Sequence, residues 1–156
     1  GRAMLFGTAL LSLAMLSADT QLAGSSTPTC NVTLASDGSA GNQQLSAMGL
    51  WPNGTVVFRP GGPGFVTPDG SLGMKFGWQR GVAGQLTIEG RRIDSDAPPL
   101  RSEVPSGYGP SGFQSTYIIF PTPGCWEVTG RVGDASITFV TSVVKIGDGP
   151  SWRRSR

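Results

Sequence analysis

The chain has 156 residues, the size of one ordinary domain; its 24 glycines and 12 prolines are about twice the usual share, while charged residues fall to 14%. Histidine is absent, which excludes His-based triads, general-base histidines and nearly every common zinc or copper site. The formal net charge of +2 resides at the ends: between residues 31 and 149 eight basic side chains meet nine acidic ones, so the body lacks the basic stripe of a nucleic-acid reader.

Residues 3–16 (AMLFGTALLSLAML) are a nearly unbroken apolar run behind one cation, Arg2. That run is shorter than the about 20 residues a bilayer span needs, but it suits the apolar segment of a secretory signal. Small residues follow, and cleavage after Ala18 or after Ser25 both fit, so residues 1–25 are expected to be a signal peptide. Its start is expected upstream, since the first residue is Gly rather than Met. The rival reading of 3–16, a buried core helix, lacks an amphipathic period. A bacterial lipid anchor wants Cys directly after a Leu-small-small triplet; here Ser25 follows Leu22-Ala23-Gly24, and Cys30 follows Thr27-Pro28-Thr29. The expected location is extracytoplasmic, secreted or envelope-associated, with membrane contact only through the signal peptide or such an anchor.

From residue 30 the chain reads as short strands between strong turns. Cys30–Ala35 (CNVTLA) alternates, and Leu45–Trp51 and Thr55–Arg59 are strand-like around Pro52-Asn53-Gly54, a hairpin signal because Asn and Gly tolerate positive φ. After RPGGPG (59–64) and TPDG (67–70), Leu72, Met74, Phe76 and Trp78 recur at period two, and Leu86 and Ile88 repeat the pattern. The proline-rich stretch Arg92–Pro110 is expected to be neither helix nor central strand. Phe113–Phe120, the Trp126–Val132 alternation and Ile137–Ile146 complete about seven strands, so residues 30–149 are expected to form an all-β antiparallel sandwich, followed by a basic tail over 150–156 that frays into solvent.

Export makes a disulfide the leading reading of Cys30 and Cys125; closing so long a loop adds roughly 4–5 kcal/mol in the chain-entropy view. If both cysteines open strands running in opposite directions they cannot meet, and two independent thiols remain.

The segment Phe120-Pro-Thr-Pro-Gly-Cys-Trp-Glu-Val resembles the Pro-Gly-x-aromatic corner between the fifth and sixth strands of immunoglobulin-like extracellular modules. More widely, from Trp51 onward, and most specifically through Gly-Cys-Trp-Glu-Val-Thr-Gly-Arg-Val-Gly-Asp-Ala-Ser (124–136), the chain resembles a family of uncharacterised bacterial exported proteins, many of them lipoprotein-like. The resemblance implies an exported, immunoglobulin-like domain with no assigned chemistry, and it supplies no catalytic residues. The sequons at Asn31 and Asn53 are accordingly read as turn and strand residues.

Candidate chemistry is sparse. Ser142 and Lys145 spell S-x-x-K, but that chemistry needs one helix face, whereas on a strand the two side chains point apart. Asp94, Asp96 and Glu103 are the candidate carboxylates of an alternative hydrolase, and Asp94 with Asp96 a weak metal candidate; turn capping and pairing with Arg91, Arg92 or Arg101 are the plainer roles. Aromatic surface offers the better opening. Trp51, Trp78, Tyr108 and Tyr117 are candidate binding residues, with core filling as the competing role for Trp51 and Trp78 and the expected role of Trp126. A further alternative is that loop 92–111 inserts into a partner's cleft, as in a protease inhibitor. The sequence thus points to a non-catalytic binding or structural module of the cell envelope, with no cofactor and an envelope protein, peptide or glycan as partner.

Overall fold

The computed structural model describes residues 29–34, 37–48 and 52–155; the expected signal peptide over 1–25 and Trp51 lie outside the described residues. Among the described residues ten strands form: β1 (Ser39–Gly41), β2 (Leu45–Met48), β3 (Thr55–Phe58), β4 (Phe65–Val66), β5 (Leu72–Arg80), β6 (Thr87–Arg92), β7 (Arg101–Glu103), β8 (Gly112–Phe120), β9 (Gly124–Val132) and β10 (Ala135–Lys145). They make an all-β sandwich of two sheets, one in the order β1-β2-β5-β8-β7 with β4 also on β5, the other in the order β3-β10-β9-β6. Strand pairs are antiparallel except β3 with β10, which run parallel.

Period-two alternation decides which side chains meet between the sheets. Leu72, Met74, Phe76 and Trp78 of β5 and Ile118 and Phe120 of β8 share one buried cluster with Trp126, Val128 and Val132 of β9 and Ile137, Phe139 and Val143 of β10. Trp78 is fully buried, and its indole N–H donates to Thr116 Oγ1 (3.0 Å), whose hydroxyl donates in turn to the Phe76 carbonyl (2.9 Å). Its ring lies directly on Gly130 of β9, where an added Cβ would come within 2.5 Å of it. Trp126 is also fully buried and donates to the Thr122 carbonyl, so both indoles bury their area without orphaning a donor.

Three local expectations need correction. Asn53 and Gly54 do adopt positive φ (67° and 63°), but they do not close a hairpin: β2 pairs with β1 and β5, while β3 joins the other sheet beside β10. The turn carries the chain between layers, and parallel pairing with β10 outcompetes local pairing. Residues 30–34 form no strand either; Thr33 instead exchanges two bonds with Val140, donating its N–H to the Val140 carbonyl (2.8 Å) and accepting the Val140 N–H on Oγ1 (2.9 Å). Because Val140 is the register partner of Glu127, Cys30 to Thr33 advances in the same sense as Cys125 to Glu127. The geometric objection to pairing therefore falls away, and Cys30 and Cys125 are joined with Cα atoms 5.5 Å apart. The third correction concerns the C-terminal residues. Val66 donates to the Trp152 carbonyl (3.0 Å) and Arg154 to the Val66 carbonyl (2.8 Å), so the backbone of residues 152–154 is stitched along β4 rather than frayed, while the Trp152 side chain stays exposed.

Edge protection follows ordinary rules. The outer edge of β6 is closed by the Leu100 N–H on the Gly90 carbonyl (3.2 Å) and by Ser102 Oγ on the Ile88 carbonyl (3.1 Å), as the chain crosses from one sheet to the other. The proline-rich stretch contributes only the edge strand β7, in keeping with the exclusion of a central one.

Candidate functional site

The two outward faces differ in chemistry. On the β6-β9-β10 face, Arg91 pairs with Glu127, Arg131 with Glu89, and Thr129 with Thr138, so exposed groups satisfy one another. The outward face of β5 and β8 carries Gly73, Lys75, Tyr117 and Ile119, in the register Gly73–Ile119 and Lys75–Tyr117.

Gly73 organises this second face. β4 lies alongside it, and the Phe65 ring rests so closely on the backbone that a Cβ at Gly73 would come within 2.2 Å of the ring. Phe65 is then the hub of a cluster assembled from three separate parts of the chain. Tyr117 meets it edge-on (centroids 5.5 Å) and so does Trp152 (5.2 Å), while the Arg154 guanidinium lies 4.5 Å from the ring centre. Phe65 and Ile119 are buried yet stand apart from the inter-sheet core cluster, so this is a second, outward apolar layer. Trp152, by contrast, is 58% exposed, the most exposed aromatic among the described residues.

Charged groups ring the cluster. Arg154 makes a forked pair with Glu103 (2.6 and 2.9 Å), and Arg101 pairs with Asp69 (3.0 Å). Arg154 holds the Glu103 carboxyl below its usual range. Asp69 is held well below it by the hydroxyls of Thr67 and Ser71, then the Ser71 N–H and Arg101. Lys75 is exposed and joins none of the ion pairs among the described residues. A cavity of about 220 Å³ is bounded by Phe65, Lys75, Tyr117 and Trp152, and a second of about 350 Å³ by Asp69, Arg101, Glu103, Ile119 and Arg154.

In comparisons with known proteins, no family model and no curated protein matches this chain. Of the aromatic candidates, Tyr117 belongs to the Phe65 cluster, whereas Trp78 fills the core. Tyr108 sits apart on the 104–111 loop, edge-on to Phe113 (5.9 Å). Phe65 and Trp152 escape sequence reasoning because each looks like a turn-flanking or terminal residue.

The candidate carboxylates do not form a common site. Asp94 accepts from Arg92 (2.7 Å) and from the Cys125 N–H (3.0 Å), while Glu103 belongs to Arg154 and Asp96 is exposed. Among the described residues no three His, Cys, Asp or Glu side chains are grouped to hold a metal. Arg92 above all, with the Cys125 N–H, lowers the Asp94 pKa.

These depressed carboxyls set an acid limit on stability. A group whose folded pKa lies below its unfolded value contributes stability above the unfolded pKa and loses it as pH falls through the folded one. Unfolding free energy is thus expected to hold from neutral pH to about 5 and to fall below about 4, where unfolded Asp and Glu titrate. Denaturant titrations across pH 2.5–7 check this on the order of half-unit steps. Glu103→Gln should flatten the acid limb, and an unchanged limb would remove Glu103 from the account.

Proposed function

We propose that this chain is an exported, immunoglobulin-like module that binds a ligand of the cell envelope without catalysing its conversion, through the outward face around Trp152. One observation carries the proposal: three rings and a guanidinium, drawn from β4, β8 and residues 152–154, converge beside the exposed Lys75 and an open cavity. Structure alone would not require the largest ring of such a cluster to face water. Export is supported by the apolar leader-like segment, the resemblance to exported proteins, and a disulfide of the kind that persists in oxidising compartments. Immunoglobulin likeness draws support from strand order. With β2, β5, β8 and β7 in one sheet and β6, β9 and β10 in the other, the arrangement parallels the four- and three-strand sheets of that fold.

The test is a screen of soluble oligosaccharides and peptides by tryptophan fluorescence. Trp78 and Trp126 are buried, so a ligand at this face reports chiefly through Trp152 among the described indoles. A ligand found in this way should lose at least about tenfold in affinity on Trp152→Ala or Tyr117→Ala, as central aromatic contacts do. Absence of any ligand-dependent change across the screen would end the proposal.

A second reading, insertion of the loop over 92–111 into a partner's cleft, has one observation in its favour: buried Arg80 clamps its 108–111 end and leaves Tyr108 exposed. A partner held that way would be lost on Tyr108→Ala and kept on Trp152→Ala.

A further inference from the structure

We infer that the cavity bounded by Phe65, Tyr117, Trp152 and Lys75 takes a carboxylate-bearing sugar residue of an acidic glycan; this rests on the binding reading above. Size comes first. At about 220 Å³ the space falls below the roughly 300–1,000 Å³ of pockets for drug-sized molecules, and it is open, so it accepts one ring of a longer chain. Chemistry comes second. The exposed Trp152 ring offers apolar aromatic surface for the C–H groups of a sugar, while the Phe65 ring, pinned on Gly73, packs against both Trp152 and Tyr117 before any ligand arrives.

Charge selects the kind of sugar. Arg154 and Arg101 are committed to Glu103 and Asp69, which leaves Lys75, opposite Tyr117 in the register, as the cation of this cavity. A single ammonium is a point charge, and it balances the single negative charge of a sugar carboxylate.

Backbone geometry argues against a strand-adding peptide. A peptide that binds in that way draws its affinity from main-chain bonds at an open sheet edge. Here the cavity lies on a sheet face. β5 is flanked by β8 on one side and by β2 and β4 on the other, while the 152–154 segment occupies the outer side of β4. A sugar ring needs only the aromatic face and side-chain donors, which is what the site presents.

The experiment titrates the full chain with galacturonate oligomers, with neutral galactose oligomers of equal length, and with a peptide panel, following tryptophan fluorescence and calorimetry. The acidic oligomers are expected to bind at least tenfold tighter than the neutral ones at low salt, with that advantage shrinking as salt is raised. Lys75→Gln should abolish the advantage, so that acidic and neutral oligomers bind alike, with the unfolding midpoint unchanged. Trp152→Ala should weaken both sugars. Equal binding of acidic and neutral oligomers, or Trp152-dependent binding of peptides with no sugar bound, would overturn the acidic-glycan inference and leave the binding module standing. No binding of any ligand would overturn both.

Discussion

Replacing Cys30 and Cys125 together by serine is expected to lower the unfolding free energy by roughly 4–5 kcal/mol, since the bond closes a long loop in the unfolded chain. The two residues are 95 apart in sequence, so the loop encloses every strand up to the start of β9. The native state gives the same bond a local task. Residues 30–33 belong to no sheet ladder; besides the disulfide they are held by the two Thr33–Val140 bonds and by Val32, which lies against Gly54 so closely that a Cβ there would come within 2.7 Å of it. In the double variant both effects should appear. The denaturant midpoint should fall, and the Thr33 amide should exchange faster than those of β9 and β10. If only Thr33 loses protection while the midpoint holds, the bond merely tethers a frayed segment and the entropic account fails. Reduction of the native protein should reproduce the variant.

Period two in β5, β9 and β10 was readable because apolar residues at 72–78, 126–132 and 137–143 alternate with glycine, lysine, threonine and glutamate, and one buried face leaves no other register open. Pairing was not readable. Asn53-Gly54 encodes its own positive φ values but not the sheet in which the next strand sits, because the competitor for Thr55–Phe58 is β10, far along the chain. The site suffered the same blindness. Trp152 looks like part of a frayed basic tail until it is set against Phe65, a neighbour no local window contains. A signal did exist in the sequence: Gly73 and Gly77 fall on the outward side of a long strand, where glycine commonly marks the close approach of another group. Phe65 covers the first, and Phe113 crowds the second. Trp152 itself, apolar among arginines, argued against a fully solvated end.

Arg80→Met is expected to cost about 3 kcal/mol of stability and to loosen the loop that carries Tyr108. Arg80 continues the inward series after Trp78 and is 4% exposed, an unusual place for a guanidinium. Among the described residues it has no carboxylate partner. Instead its guanidinium donates to five backbone carbonyls: Gly112 (3.3 Å) through Nε, Gly84 (3.0 Å) through Nη1, and Tyr108 (3.1 Å), Gly109 (2.9 Å) and Ser111 (3.2 Å) through Nη2. Glycines at 84, 109 and 112 have positive φ, which permits the chain to turn its carbonyls toward one centre. Methionine keeps much of the packing volume and removes every donor. The loss should stay below the sum for five orphaned acceptors, because Tyr108, Gly109 and Ser111 are exposed and water can reach them once the loop opens. Arg80→Lys should recover only part of the loss, since a compact ammonium cannot span the same fan of acceptors. Urea unfolding gives the stability term and amide exchange across 104–112 gives the loop term. A loss under about 1 kcal/mol, with exchange unchanged, would mean that the loop holds its shape without the arginine.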